Sequence, residues 1–311
     1  MNKLNMQLTP YIIILSVGLI ATILLFFHPK KSLLIHPIEP EFSPNPFGCN
    51  GTTVRNHKKY AVVSMLTSTD EYVRGMKVLG ASIQQQMADY SDDFDMLLLV
   101  IHNSIPDDGV LQDVTRVGGW TICDVPRIAP PDERRVFYRF KDQFTKLALF
   151  SWDEYERIVY LDGDTLVMGK FHELFKLPPE KPFAAVRDWN RGHWDEGFNM
   201  GVFSIKPSWT EFNRLLEQKN IMLDYELSMS EQGYLQALYR SNWTELEFKY
   251  NANVAIYLQN RQEPNFWRAR ERDIRIMHYT WEKPFARDRS GNSELEPLFE
   301  PWDKIAIKLQ A

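Results

Sequence analysis

Arg157-Ile158-Val159-Tyr160-Leu161-Asp162-Gly163-Asp164 is a short apolar run that ends in two carboxylates. Its length and composition are those of a buried strand. Such a strand hands its carboxylates to the C-terminal edge of a sheet, where ligands of open α/β folds bind. An Asp-x-Asp pair with glycine between lets both carboxylates converge on one hard divalent cation, whose open positions can take diphosphate oxygens. The same spacing recurs at Asp93-Phe94-Asp95. That triplet precedes its strand, so it reads as a solvated turn at the wrong end of the sheet.

Outward from this run, strands and helices alternate. Tyr60–Leu66 (YAVVSML) is a buried-strand pattern, and residues 70–86 carry apolar residues three and four apart, as a helix does. A second strand is predicted at 95–101, a helix at 111–117, a third strand at 121–125, a helix at 141–152 and the fourth strand at 157–161. That βαβαβ order implies a mostly parallel sheet with helices on both faces. Shorter strands follow at 183–186 and 202–205, helices at 209–217 and 231–239, and a short strand before His278. No GxGxxG follows the first strand and no GxxxxGK[ST] occurs, which argues against a dinucleotide enzyme or a P-loop NTPase.

The 311 residues carry a formal charge of −5, too acidic for a typical nucleic-acid binder. Residues 11–27 (YIIILSVGLIATILLFF) are uncharged, and no small-x-small cleavage site follows them. They read as an uncleaved transmembrane anchor after a tail of residues 1–10. Residues 28–58 hold Pro29, Pro37, Pro40, Pro44 and Pro46 and read as an extended stem. Lys30 and Lys31 after the span favour a cytosolic body. The sequons Asn50-Gly51-Thr52 and Asn242-Trp243-Thr244 favour a lumenal one. With only two cysteines, Cys49 and Cys123, the expectation is a buried free thiol at Cys123 and no bridge to the stem. Asp188–Trp194 reads as a polar loop whose Trp194 either stacks on a sugar or packs the core edge, while Asp195, Glu196 and the mixed-charge run Arg268–Arg275 read as solvated surface.

Several stretches, in order, resemble the nucleotide-sugar glycosyltransferases of family 8, the glycogenin-like group. They are Leu66-Thr67-Ser68-Thr69-Asp70-Glu71-Tyr72, Phe144-Thr145-Lys146-Leu147-Ala148-Leu149-Phe150 with the Asp162-Gly163-Asp164 strand, Phe198-Asn199-Met200-Gly201-Val202-Phe203, Glu231-Gln232-Gly233, and His278 with Lys283-Pro284. The resemblance spans residues 59–285, leaving 286–311 as a C-terminal extension. It implies a GT-A fold, a manganese ion, a UDP-sugar donor, retention of anomeric configuration and a glycan or glycoconjugate acceptor. It makes Asp162, Asp164 and His278 the metal ligands. Leu66, Ser68, Thr69 and Tyr72 would contact uracil, Lys283 the diphosphate, and Lys146 the donor phosphate or sugar. Asn199, Glu231 and Gln232 would face the sugar, with Glu231 one methylene longer than the family's usual Asp. The implied setting is a single-pass Golgi membrane protein with a lumenal body. A self-glucosylating primer like glycogenin has no such anchor, and an inactive lectin-like module would not be expected to keep the ligand set.

Overall fold

The computed structural model describes residues 45–49, 58–67, 71–105, 108–190, 192–222, 224–240, 242–260, 263, 265–289 and 293–310. The expected anchor, most of the stem, Asn50, Ser68 and Thr69 lie outside them. No helix among the described residues is long and apolar enough to cross a membrane.

The chain runs β1 (Tyr60–Leu66), α1 (Tyr72–Gln86), β2 (Phe94–Ile101), α2 (Asp108–Gly118), β3 (Thr121–Val125), β4 (Arg157–Leu161), β5 (Thr165–Val167), β6 (Phe183–Asn190) and β7 (His193–Ile205). Then come α3 (Trp209–Ile221), α4 (Ser230–Tyr239), β8 (Thr244–Leu246), β9 (Ala252–Asn253), α5 (Val254–Gln259), β10 (Ile276–His278) and α6 (Glu296–Gln310). Seven strands form one sheet in the order β3-β2-β1-β4-β7-β6-β8. Among the described residues, six of them run the same way and β7 runs against its neighbours β4 and β6. A second sheet has the order β5-β10-β9.

Both faces of the large sheet are covered, which explains why β1 reads as apolar sequence interrupted only by Ser64. Ala61, Val63 and Met65 point into one core, with Phe144, Leu147 and Phe203. Val62 and Leu66 point into the other, with Met76, Leu79 and Leu161. Buried Ser64 donates its hydroxyl to the Leu161 carbonyl at 2.6 Å, tying the C-terminal ends of β1 and β4 together.

Three expectations are corrected. The helix expected over 141–152 is a 3-10 helix, Gln143–Ser151, with Phe144 to Ser151 all buried. The polar Thr145, Lys146 and Ser151 are buried along with the apolar residues, so this stretch has no solvent face of the kind an amphipathic helix presents. The supposed loop Asp188–Trp194 belongs to a long hairpin, β6–β7. Register shifts between Ala185 and Arg187 and between Arg187 and Trp189 hide its alternation.

Lastly, Cys49 and Cys123 are joined in a disulfide, their Cα atoms 4.5 Å apart. The bridge exists because the last part of the proline-rich stretch lies on the body. Asn45 donates to the Ser151 carbonyl at 3.0 Å, and Trp152 Nε1 donates to the Phe47 carbonyl at 2.5 Å. The Phe47 ring meets Phe212 edge-on at 5.2 Å.

Candidate active site

β4 ends at Leu161, and the chain turns sharply so that Asp162 and Asp164 both stay at the sheet edge. The backbone N–H of Asp162 donates to the Gly201 carbonyl at 2.7 Å, and Thr165 donates back to the Asp162 carbonyl at 3.0 Å. Gly163 lets the Met76 side chain of α1 lie against the turn, since a Cβ there would push Met76 Cε aside. β5 then pairs antiparallel with β10, His278 opposite Thr165, which brings the imidazole beside Asp164. Gly201 of β7 leaves room for that ring, because a Cβ would collide with His278 Cε1.

One donor atom from each of Asp162, Asp164 and His278 lies within 4.8 Å of the others. Nε2 of His278 is 3.3 Å from Asp164 Oδ1. That oxygen is buried and accepts no hydrogen bond, an orphan that a cation would satisfy. Two carboxylates and an imidazole suit manganese or a similar divalent ion. The residues present therefore fit the metal that the sequence implies.

Two lysines neutralise this cluster. Lys283 forms an ion pair with Asp164 Oδ2 and donates to the Tyr279 and Thr280 carbonyls at 2.5 and 2.9 Å. Burial would raise the Asp164 carboxyl, but the ammonium of Lys283 outweighs it and holds the carboxyl below the ordinary carboxylate range. Lys146 is fully buried, with its ammonium 3.0 Å from both Asp162 Oδ1 and Glu231 Oε1. Burial pushes the Glu231 carboxyl up despite Lys146, whereas Asp162 and Glu231 hold the lysine up despite its own burial. One ammonium sits at hydrogen-bond distance from both carboxyl groups. Lys146 is thus a strut beneath the carboxylates, with its donors spent on protein, and it does not reach open space as a donor contact would.

The residues that the resemblance would turn toward the sugar also converge. Gln232 accepts from the Met200 N–H at 3.0 Å and donates to Asp188 at 2.9 Å. Asn199 donates to the same carboxylate at 3.0 Å. Asp188 is missing from the sequence-derived set, although it follows the rule that found Asp162. β6 runs parallel to β4, so the run Phe183–Val186 delivers Asp188 to the same sheet edge. Burial pushes its carboxyl up, against the donors from Asn199, Trp189 and Gln232.

Tyr72 opens α1, and its ring meets Phe285 edge-on at 5.2 Å. Its Cδ1 lies 3.3 Å from where a Cβ on Gly163 would stand, which puts the ring beside the cluster. Leu66 is in the core, so it can touch a ligand only through its backbone.

The family model for glycosyl transferase family 8 matches residues 63–288. The chain belongs to glycosyltransferase family 8. It is a glycosyltransferase with a GT-A-like fold. It is 28% identical over 286 residues to inositol phosphorylceramide glucuronosyltransferase 1 of Arabidopsis thaliana, covering 84% of this chain and 48% of that protein. It is 25% identical to galactinol synthase 3 of Arabidopsis thaliana, over 79% of this chain and 80% of the relative. The chain thus spans about half the length of the first relative and most of the second. Among solved structures, the galactosyltransferase LgtC in complex with donor and acceptor sugar analogs superimposes with a TM-score of 0.55 at 18% identity, covering 81% of this chain and 96% of the other. The glycosyltransferase GlyE of Streptococcus pneumoniae TIGR4 gives 0.55 at 20% identity, over 80% and 60%.

Proposed function

We propose that this family 8 enzyme transfers a hexose or N-acetylhexosamine from a UDP-sugar to a glycan or glycoconjugate acceptor, with retention at the anomeric carbon. The observation that carries this is the convergence of Asp162, Asp164 and His278 on one point at the sheet edge, flanked by Lys283. In the reaction the acceptor hydroxyl oxygen bonds to the anomeric carbon, the bond from that carbon to the diphosphate breaks, the electron pair leaves with UDP, and the acceptor proton passes to the departing diphosphate oxygen. Asp162, Asp164 and His278 would hold a manganese ion. When bound, that ion supplies Lewis-acid stabilisation of the departing diphosphate. Lys283 adds a point charge there, exchanging one of its present acceptors for a phosphate oxygen. Asn199, Glu231, Gln232 and Asp188 face the sugar, and Lys146 acts through the two carboxylates it bridges. Tyr72, Ser68, Thr69 and the Leu66 backbone take the uracil. The relatives are named for different sugars, so the donor is proposed as a class.

The decisive assay follows UDP release from a panel of UDP-sugars by the full chain in detergent, with manganese and with chelator. Metal-dependent release from at least one donor is expected. Equal rates with chelator, or no release from any donor, would contradict the proposal.

The proposed setting is a single-pass type II Golgi protein with a lumenal body. The Cys49–Cys123 bridge supports it, since disulfides persist in the secretory pathway and are rare in the cytosol. So does the exposed Asn242 of the second sequon. Protease protection in intact microsomes, with a glycan-dependent mobility shift lost in Asn242→Gln, is the expected pattern. A body digested without detergent would place it in the cytosol, as Lys30 and Lys31 suggest.

A further inference from the structure

Resting on Asp162, Asp164 and His278 as the metal ligands, we propose that Asn251 is a positioning residue for that centre. It holds the His278 imidazole with the proton on Nδ1 and the lone pair on Nε2, the nitrogen that faces Asp164.

The donor and acceptor directions follow from groups that cannot be reversed. The backbone N–H of Gly201 donates to Asn199 Oδ1 at 2.9 Å. A backbone N–H never accepts, so the oxygen of the Asn199 amide must lie on that side and its NH2 on the other. That NH2 donates to Asp188 Oδ1 at 3.0 Å. The same Asn199 oxygen lies 2.9 Å from Asn251 Nδ2, so Asn251 presents its NH2 there and its oxygen to the opposite side. On that side, Asn251 Oδ1 lies 2.8 Å from His278 Nδ1. An amide oxygen only accepts, so Nδ1 must carry the hydrogen. A neutral imidazole has one N–H, and Nε2 keeps its lone pair for a ligand.

One backbone N–H of β7 thereby sets the histidine tautomer through two amides. Turning Asn251 over would set its oxygen against the Asn199 oxygen, which is pinned in place by the Gly201 N–H. Gln232 closes the far end in the same way. Its oxygen takes the Met200 N–H, so its NH2 donates to Asp188 Oδ2 at 2.9 Å. Asp188 receives donors on both oxygens and anchors the chain.

The fold explains the placement. β10 lies between β5 and β9, with His278 opposite Thr165 on one side and Asn253 on the other. Asn251, just before β9, therefore falls beside the ring. Asn251 and His278 are 2% and 3% exposed, so water has no easy path to replace the amide. Groups that orient a metal-bound histidine in this way typically contribute 10- to 100-fold in metal affinity.

The test uses the full chain in detergent without donor, titrated with Mn2+ and followed by electron paramagnetic resonance of free ion. Asn251→Ala should weaken binding at least about tenfold. Asn251→Asp keeps an oxygen on Nδ1 and should stay within about threefold of wild type, while losing the bond to Asn199 and some thermal stability. Co2+-loaded wild type should show a solvent-exchangeable, hyperfine-shifted imidazole N–H resonance from His278, which exchanges faster in Asn251→Ala. Wild-type Mn2+ affinity in Asn251→Ala, an Asn251→Asp protein as weak as Asn251→Ala, or no exchangeable resonance in wild type would each overturn the proposal. Asp164→Asn separates the two levels: if it binds Mn2+ normally, the metal assignment itself fails.

Discussion

The sheet carries the Asp-x-Asp spacing at both of its ends. Asp162-Gly163-Asp164 follows β4, and Asp93-Phe94-Asp95 leads into β2, which runs parallel through β1. At the first end a glycine between the acids admits Met76, and the carboxylates face a buried imidazole and two lysines. At the second end the middle residue is Phe94, buried and stacked on Phe175 with centroids 5.6 Å apart. Asp93 is exposed, and Asp95 accepts a hydrogen bond from the Tyr155 hydroxyl at 3.0 Å. Spacing alone is therefore uninformative. Strand direction decides which pair meets a site, and the middle residue decides whether the turn serves chemistry or packing.

The sharpest way to break this contrast is Asp164→Asn. The transfer rate should fall about 10³-fold or more, equivalent to about 4 kcal/mol, when measured on the folded enzyme in saturating donor and metal. A variant with half the wild-type rate would make the two triplets equivalent.

Phe94→Ala tests the other end. It should cost about 3–5 kcal/mol of stability by chemical denaturation, with little change in turnover of the folded fraction. A specific loss of turnover there would show that this end also serves the reaction.

The βαβαβ succession along the chain was legible in the sequence because buried parallel strands read as near-continuous apolar runs. The direction of β7 was not, since apolar patterning carries no sign. Asp162 and Asp164 were found because they close such a run as a pair. Asp188 was missed because it stands alone, two residues past its apolar run, behind an irregular register. Asn251 gives no signal of its own. Its role comes from partners 27 and 52 residues away in the chain. Cys49 was misread because its neighbours are prolines and polar residues, while the contacts that seat it come from Ser151, Trp152 and Phe212.

Lys283→Gln sharpens the charged end. Asp164 is held below its ordinary value, so its pairing stabilises the fold above about pH 4 and fades as pH falls through the folded-state value. In chelator at pH 7 the variant should lose about 1.5–3 kcal/mol, measured by denaturant midpoint. The gap to wild type should shrink as pH drops below about 4. A gap independent of pH would mean that Lys283 stabilises mainly through the Tyr279 and Thr280 carbonyls. Asp93→Asn should be the mildest change, within about 0.5 kcal/mol in stability and with an unchanged rate.

Manganese binding in the presence of UDP, measured by paramagnetic resonance on wild type, Asp164→Asn and the Asp93→Asn, Asp95→Asn double variant, addresses the central claim most directly. One ion per chain is expected in wild type and in the double variant, with none at the same concentrations in Asp164→Asn. Normal binding in Asp164→Asn, or loss of the ion in the double variant, would contradict the assignment of the metal to the C-terminal end of β4.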